Sequence, residues 1–412
     1  MKRLIKILLI GIMGVVGCLS AMSAECEWSE WDPTECFYNG MIFNLSLEDQ
    51  SLSLKNYVFD YEWSGGDGIV IIPESLPSAE DPDVRYKVVA IDEDAFVAWP
   101  AGFHYHPFCN VSSVVIPETI VRIGARAFGY TFRMKEIRFP DSVTEIGDEC
   151  VAYSSSLEYI KLPAGLKIIP KGFAELCTAV TECDIPESVE EIGELAFNRC
   201  KSIEKVFIPA GVKTIGNGAF SGMDNLERID LDPANEAYRV SDGVLYDREM
   251  KTLVGWPGQR AEVVIPEGVE RIAWQVLNSS DVYTSFDFPQ SLTDLSNTYF
   301  DSDRNLRKIT VRSVTPPKCE ALILPQKLPM FAEEVYANAE LWVPEESVDE
   351  YKAHPVWGKF NCINGVWVGV DKVSAAEEEA VYYSLDGQKV DNPEHGQILI
   401  RRIGGAAEKV RY

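Results

Sequence analysis

Five isoleucines of this chain, Ile123, Ile146, Ile169, Ile192 and Ile215, fall 23 residues apart without a slip, and Pro117, Pro140, Pro163, Pro186 and Pro209 keep the same step. A fixed period of this length marks an array of stacked units, each touching mainly its neighbours. A lone unit buries too little apolar surface to offset the ordering of its backbone, so the units are stable only when stacked. The 412 residues therefore read as one long body rather than two or three globular domains.

Each unit has the same internal order. Paired apolar residues two apart, such as Val206 and Ile208, predict a short strand with the residue between them, Phe207, on the opposite face. Proline follows at once; it has no N–H to donate, so the ladder stops there and the chain turns. Gly124, Gly147, Gly193 and Gly216 follow the repeated isoleucine, where positive φ is expected to let the coil bend again. Pro170 replaces that glycine in the third unit, which should differ locally.

The pattern LxxIxIPxxVxxIGxxAF resembles the BspA-like class of leucine-rich repeats, exported for the most part by gut and oral bacteria. The resemblance covers about residues 69–365, closely in five units and more loosely at Ile91–Phe96, Val264–Ile272 and Phe288–Phe300. It implies a β-rich leucine-rich-repeat solenoid, a parallel sheet built from 23-residue coils, with an N-terminal β leader and a small C-terminal β tail. The expected divisions are a signal peptide at 1–18, a leader at 19–82, a solenoid at 83–313, a capping repeat at 314–365 and a tail at 366–412. Residues 231–257 resemble the interrupting hairpin of such proteins, with Asp242 and Gly243 as turn residues inside an insertion spanning 233–260. ELWVPEESVDEYKAHPVWGKFNCI resembles their closing unit, in which Val343, Pro344, Tyr351, Trp357 and Phe360 would cover the last coil. The tail resembles a C-terminal module associated with sorting or attachment, or equally a plain hairpin module.

Lys2, Arg3 and Lys6 followed by an apolar run read as an export signal, and Val15–Cys18 resembles a lipobox in which Cys18 takes the lipid. Cleavage after Ser23 is the competing reading. No later stretch is long and apolar enough to span a bilayer, so the expected membrane attachment is the lipid alone. With 64 acidic and 38 basic residues the formal charge is −26, which argues against nucleic acid as a partner. Among the ten cysteines, Cys26 with Cys36 and Cys319 with Cys362 are the disulfide candidates outside the regular repeats. Cys177 and Cys200 share one register and are expected to stack as small buried side chains, with Cys183 a buried thiol.

No GxSxG, HExxH, P-loop or GxGxxG motif is present, so the chain reads as non-enzymatic and without a cofactor. Two places are candidate binding surfaces. The insertion AWPAGFHYHPF offers Trp99, Phe103, His104, Tyr105 and His106 as stacking and polar contacts, or else it folds back over the early coils. Its HxH alone does not make a metal site. The outward strand residues Arg138, Lys161, Asp184, Phe207 and Asp230 should stand side by side on one face with Tyr159 beside them. The expected function is binding or adhesion to an extracellular or surface protein; a glycan-binding accessory role, a scaffold and a cryptic enzyme are the alternatives.

Overall fold

The structure, a computed structural model, describes residues 26–57 apart from 30, 31 and 33, residues 68–97, residues 111–367 apart from 259, 275, 278–281, 297, 299, 301–303 and 320–329, and the strands of the tail. Cys18 and the insertion carrying Trp99, Phe103, His104, Tyr105 and His106 lie outside the described residues.

The leader is an antiparallel meander of β1 (Glu27–Trp28), β2 (Glu35–Tyr38), β3 (Met41–Ser46) and β4 (Ser51–Tyr57). Alternation places Met41 and Phe43, with Leu52 and Leu54, in the core. Trp28 opposes Cys36, so Cys26 shares their face, and both cysteines are free thiols rather than a bridge. Cys319 and Cys362 are also thiols, not a bridge. Beyond β5 (Ile69–Ile71) and β6 (Ser75–Pro77), β7 (Arg85–Ile91) pairs in parallel with β4 and carries the leader into the repeats.

Each repeat then contributes two short strands: β8 (Ser113–Val115) and β9 (Arg122–Ile123), β10 (Glu136–Arg138) and β11 (Glu145–Ile146), β12 (Tyr159–Lys161) and β13 (Ile168–Ile169), β14 (Glu182–Cys183) and β15 (Glu191–Ile192), β16 (Lys205–Ile208) and β17 (Thr214–Ile215). All pairing between coils is parallel and in register at the 23-residue step: Ile137 opposes Ile160, Ile192 opposes Ile215, Val206 opposes Ile229 of β18 (Arg228–Leu231). This is a β-rich leucine-rich-repeat solenoid. Its interior is a continuous column that includes Ile123, Phe128, Ile137, Ile160, Phe173, Ile192, Phe197 and Phe220. Successive phenylalanines touch along it, with ring centroids 4.9 Å apart at Phe96–Phe128 and 6.1 Å at Phe197–Phe220.

The glycines after the repeated isoleucine do not adopt positive φ, contrary to expectation; their role is closeness. A Cβ on Gly124, Gly147, Gly193 or Gly216 would sit 2.3–2.5 Å from a backbone nitrogen of the preceding coil. Their N–H groups donate to Ile91, Ile123, Ile169 and Ile192 at 2.7–2.8 Å. The left-handed positions fall elsewhere in each coil, at Arg126, Glu149, Gly172, Leu195 and Gly218, and again at Tyr130, Tyr153, Leu176, Arg199 and Gly222. Both sets keep the 23-residue step, and most members carry a side chain, a strain the turn imposes. The turn donates forward: Arg126, Phe128 and Tyr130 give their N–H groups to Asp148, Cys150 and Ala152.

Pro170 does disturb its coil. It carries a Cβ and lacks the N–H that its glycine counterparts donate, and β11 does not pair with β13 at that point. Cys177 and Cys200 are fully buried as expected, and they also donate to the carbonyls of Val151 and Ala174 at 3.1 and 3.2 Å. Ser154 and Thr131 hold the same register one and two coils before Cys177, so this position is a column of small donors.

After β18 the insertion forms a hairpin of β19 (Tyr238–Ser241) and β20 (Val244–Asp247), closed by Asp242 and Gly243 at φ 52° and 72°, the turn read from the sequence. Asn235 stitches it to the fifth coil, its buried amide donating to Pro209 and Val212 at 2.9 Å. The stack resumes through β21 (Thr252–Gly255), β22 (Glu262–Val264), β23 (Arg271–Ile272), β24 (Ser285–Phe288) and β25 (Lys308–Val311). The last unit comprises α1 (Glu333–Asn338), β26 (Glu340–Trp342), α2 (Val348–Ala353), β27 (Cys362–Ile363) and β28 (Val366–Trp367). Tyr351, Trp357 and Phe360 are buried there against Phe331 and Tyr336. β28 turns antiparallel against β27, so the parallel ladder ends on a reversed strand. The tail strands β29 (Val381–Tyr383), β30 (Lys389–Val390), β31 (Ile398–Ile403) and β32 (Ala406–Arg411) make a separate antiparallel sheet.

Gly193→Ala should destabilise the protein by about 3 kcal/mol, because neither backbone can yield to the new methyl. Leu195→Gly, which relieves a left-handed leucine at φ 58°, should cost far less; urea unfolding compares them. A second prediction concerns the closing unit, where the Nδ1 of His354 accepts the N–H of Val356 at 3.2 Å. Burial lowers the His354 pKa from its usual 6.5 and outweighs the opposing pull of Glu350. A depressed histidine favours folding above the unfolded pKa of about 6.5, and that contribution is lost as pH falls from there through the lowered folded-state pKa. The urea midpoint should therefore drop between about pH 7 and pH 5, and His354→Asn should flatten that slope.

Candidate functional site

In each proline-side strand a central inward residue is flanked by two outward ones, and a second inward residue follows before the proline, as Val206 and Ile208 show. Inward stand Ile137, Ile160, Cys183, Val206 and Ile229 in successive coils. Outward, Arg138 opposes Lys161, and Phe207 opposes Asp230. Arg138, Lys161, Asp184 and Phe207 are exposed, while Tyr159 and Asp230 are half-buried.

The row is not continuous. β14 pairs with β12, and β16 pairs with β18, but β14 and β16 do not pair with each other. By the 23-residue step the absent pairs are Glu182 with Lys205, Cys183 with Val206 and Asp184 with Phe207. The N–H groups of Glu158, Thr181 and Glu227 donate to Lys135, Glu158 and Glu204 of the preceding coil. Glu204, the fourth member of that series, makes no such bond among the described residues. The ladder also lapses between β8 and β10 and between β11 and β13.

Between β14 and β16 the gap opens into a cleft of about 730 Å³, lined among others by Glu182, Cys183, Asp184, Glu204, Lys205 and Phe207. Cys183 lines it as a half-buried residue, and the protein around its thiol pushes the pKa up by desolvation. Cys177 and Cys200 behind it have no exposure; burial raises Cys177 to about 12 and Cys200 well above the usual thiol value.

The ends of the row are already satisfied and its centre is not. Arg138 lies over the Tyr159 ring at 4.7 Å and pairs with Glu136 at 3.0 Å. Asp230 pairs with Arg228 at 2.9 Å. Among the described residues Glu182, Asp184, Glu187, Glu204 and Lys205 form no ion pair, although elsewhere Lys167 and Lys213 bracket Glu190 across three coils. Phe207, 48 % exposed, stands at the cleft's rim. Thus the structure brings Asp184, Phe207 and Asp230 together around one cleft and leaves Arg138, Tyr159 and Lys161 in a separate cluster. The sequence reading missed Glu182, Glu204 and Lys205. Cys183, smaller than the isoleucines of its column, is the one visible mark in the sequence. No group of three metal-ligating side chains occurs among the described residues.

The fold and this surface define a class, the leucine-rich-repeat solenoid, and comparison narrows it. Six copies of the BspA type leucine rich repeat region match residues 102–229 and 259–317, so the coils of this solenoid are repeats of that type. A leucine rich cell surface protein from Faecalibacterium prausnitzii shares its fold at 20 % identity and a TM-score of 0.53, over 81 % of this chain and 94 % of that one. A leucine-rich repeat protein from Eubacterium ventriosum aligns at 16 % identity and a TM-score of 0.43, over 79 % and 82 %. The pneumococcal vaccine antigen PcpA aligns at 14 % identity and a TM-score of 0.47, over 83 % and 99 %. No curated protein matches the sequence.

Native-state alkylation with a small neutral reagent tests whether the cleft is open. Cys183 should be modified before Cys150, Cys177 and Cys200, faster as pH rises because the thiolate is the nucleophile. Protection of Cys183 equal to theirs would contradict the cleft.

Proposed function

We propose that this chain is an exported, surface-presented repeat protein that binds a protein partner through the outward face of its proline-side strands, without catalysis. One observation carries the reading: the centre of that face combines an exposed aromatic, unpaired charges and an open cleft, whereas Arg138 and Asp230 at its ends are held by Glu136 and Arg228. Exposed aromatics amid polar rims are typical anchors of protein interfaces. The BspA-type repeats and the fold shared with a bacterial cell surface protein support presentation outside the cell. Lipid on Cys18 is the proposed anchor.

Titration of the mature protein against a panel of extracellular-matrix proteins and glycans should give saturable binding to a protein. Binding to glycans alone would support the accessory role instead, and nothing above background would contradict the proposal. Growth with a fatty-acid label should tag the wild-type protein and leave Cys18→Ala untagged; an equally labelled variant would remove the anchor from the account.

A further inference from the structure

The lapse between β14 and β16 leaves two strand edges facing each other with no partner. In the paired coils, Val206 and Asp230 lie within the β16–β18 ladder. Their equivalents one coil earlier, Cys183 and Phe207, face the gap, and their N–H groups have no backbone partner among the described residues. Exposed strand edges are templates for an added strand. A volume of about 730 Å³ falls within the roughly 300–1,000 Å³ typical of ligand-binding clefts.

The side chains state what that strand should carry. An inserted segment alternates faces as its neighbours do. Its inward residue would lie between Cys183 and Val206, which calls for a small apolar side chain. Its outward residues would lie between Glu182 and Lys205 on one row and between Asp184 and Phe207 on the next. Glu187 and Glu204 add to the same wall, so four unpaired carboxylates face one lysine, while Asp230 at the margin is already held by Arg228. A cation on the outward side would meet Asp184 and sit against the Phe207 ring.

We propose that this cleft takes an extended segment of a partner protein by strand addition, and that the segment alternates basic and small apolar residues. The proposal rests on the protein-binding reading above and names the chemistry of the partner. Backbone pairing supplies affinity, while the acidic rim selects against anionic segments.

The test uses the mature chain and a library of short peptides in which lysine or arginine alternates with alanine or valine, read by fluorescence anisotropy and by protection of Cys183 from alkylation. Basic peptides should bind and shield Cys183. Replacing the central apolar residue by proline should weaken binding roughly tenfold or more, because a ladder donor is lost. Asp184→Lys combined with Glu204→Lys should do the same, and Lys213→Ala, an exposed position beside the isoleucine-side strand β17, should change nothing. All these substitutions are at exposed positions; Cys183 shielding in the unmodified protein gives an answer even if a variant misfolds. The proposal is overturned if no basic peptide shields Cys183, or if proline-containing peptides bind as well as their parents, which would mean charge alone holds them. A partner found in the panel whose binding ignores Asp184→Lys and Glu204→Lys would likewise overturn it while leaving the protein-binding function intact.

Discussion

The close approach of one coil's backbone to the next governs this molecule. Gly147, Gly193 and Gly216 bring their N–H groups to within 2.8 Å of the isoleucine carbonyls one coil back, at positions where even a methyl would collide with main-chain atoms. That contact fixes the spacing of the stack, and the isoleucines it follows are thereby set face to face in the core column. The rest is local consequence. Turns at Arg126, Glu149 and Leu195 accept left-handed backbone because their N–H groups then reach the next coil's carbonyls, and small donors at Thr131, Ser154, Cys177 and Cys200 satisfy carbonyls on the inner side.

The places where the approach relaxes are as informative. At Pro170 the cause is chemical: no N–H and a ring where a hydrogen belongs, so β11 and β13 part. Between β14 and β16 the proline-side ladder parts although the isoleucine-side pair β15–β17 stays closed. The two coils therefore stay joined at β15–β17 and at the Ser202–Thr178 hydrogen bond, and the ladder lapses between these points, where the inward residue shrinks to Cys183. Surface ion pairs such as Lys167–Glu190–Lys213 bridge the coils but are exposed and contribute little to holding them.

Much of the fold was legible because periodicity survives translation into three dimensions: the 23-residue step, the proline stops, the Asp242–Gly243 turn and the burial of Tyr351, Trp357 and Phe360 all follow from residue type and spacing. The glycines were recognised but their reason was not, since closeness to a residue 22 positions earlier leaves no local signature distinct from positive φ. The outward row was likewise legible as a list and not as a site. Asp184 and Phe207 were placed by register alone, whereas the cleft between them depends on whether two strands pair, a tertiary event that no pattern along the chain encodes. Glu182, Glu204 and Lys205 acquired significance only from that event.

The surface is therefore a product of the stack: where coils touch, the face is closed, and where they part, it is available to a partner. Native-state hydrogen exchange tests this most directly, since amide protection reports local opening. The amides of Val206 and Asp230, within the β16–β18 ladder, should exchange slowly, and those of Cys183 and Phe207, at the same positions one coil earlier, should exchange rapidly. Equal protection across the two pairs would mean that the ladder is continuous there and would contradict the account.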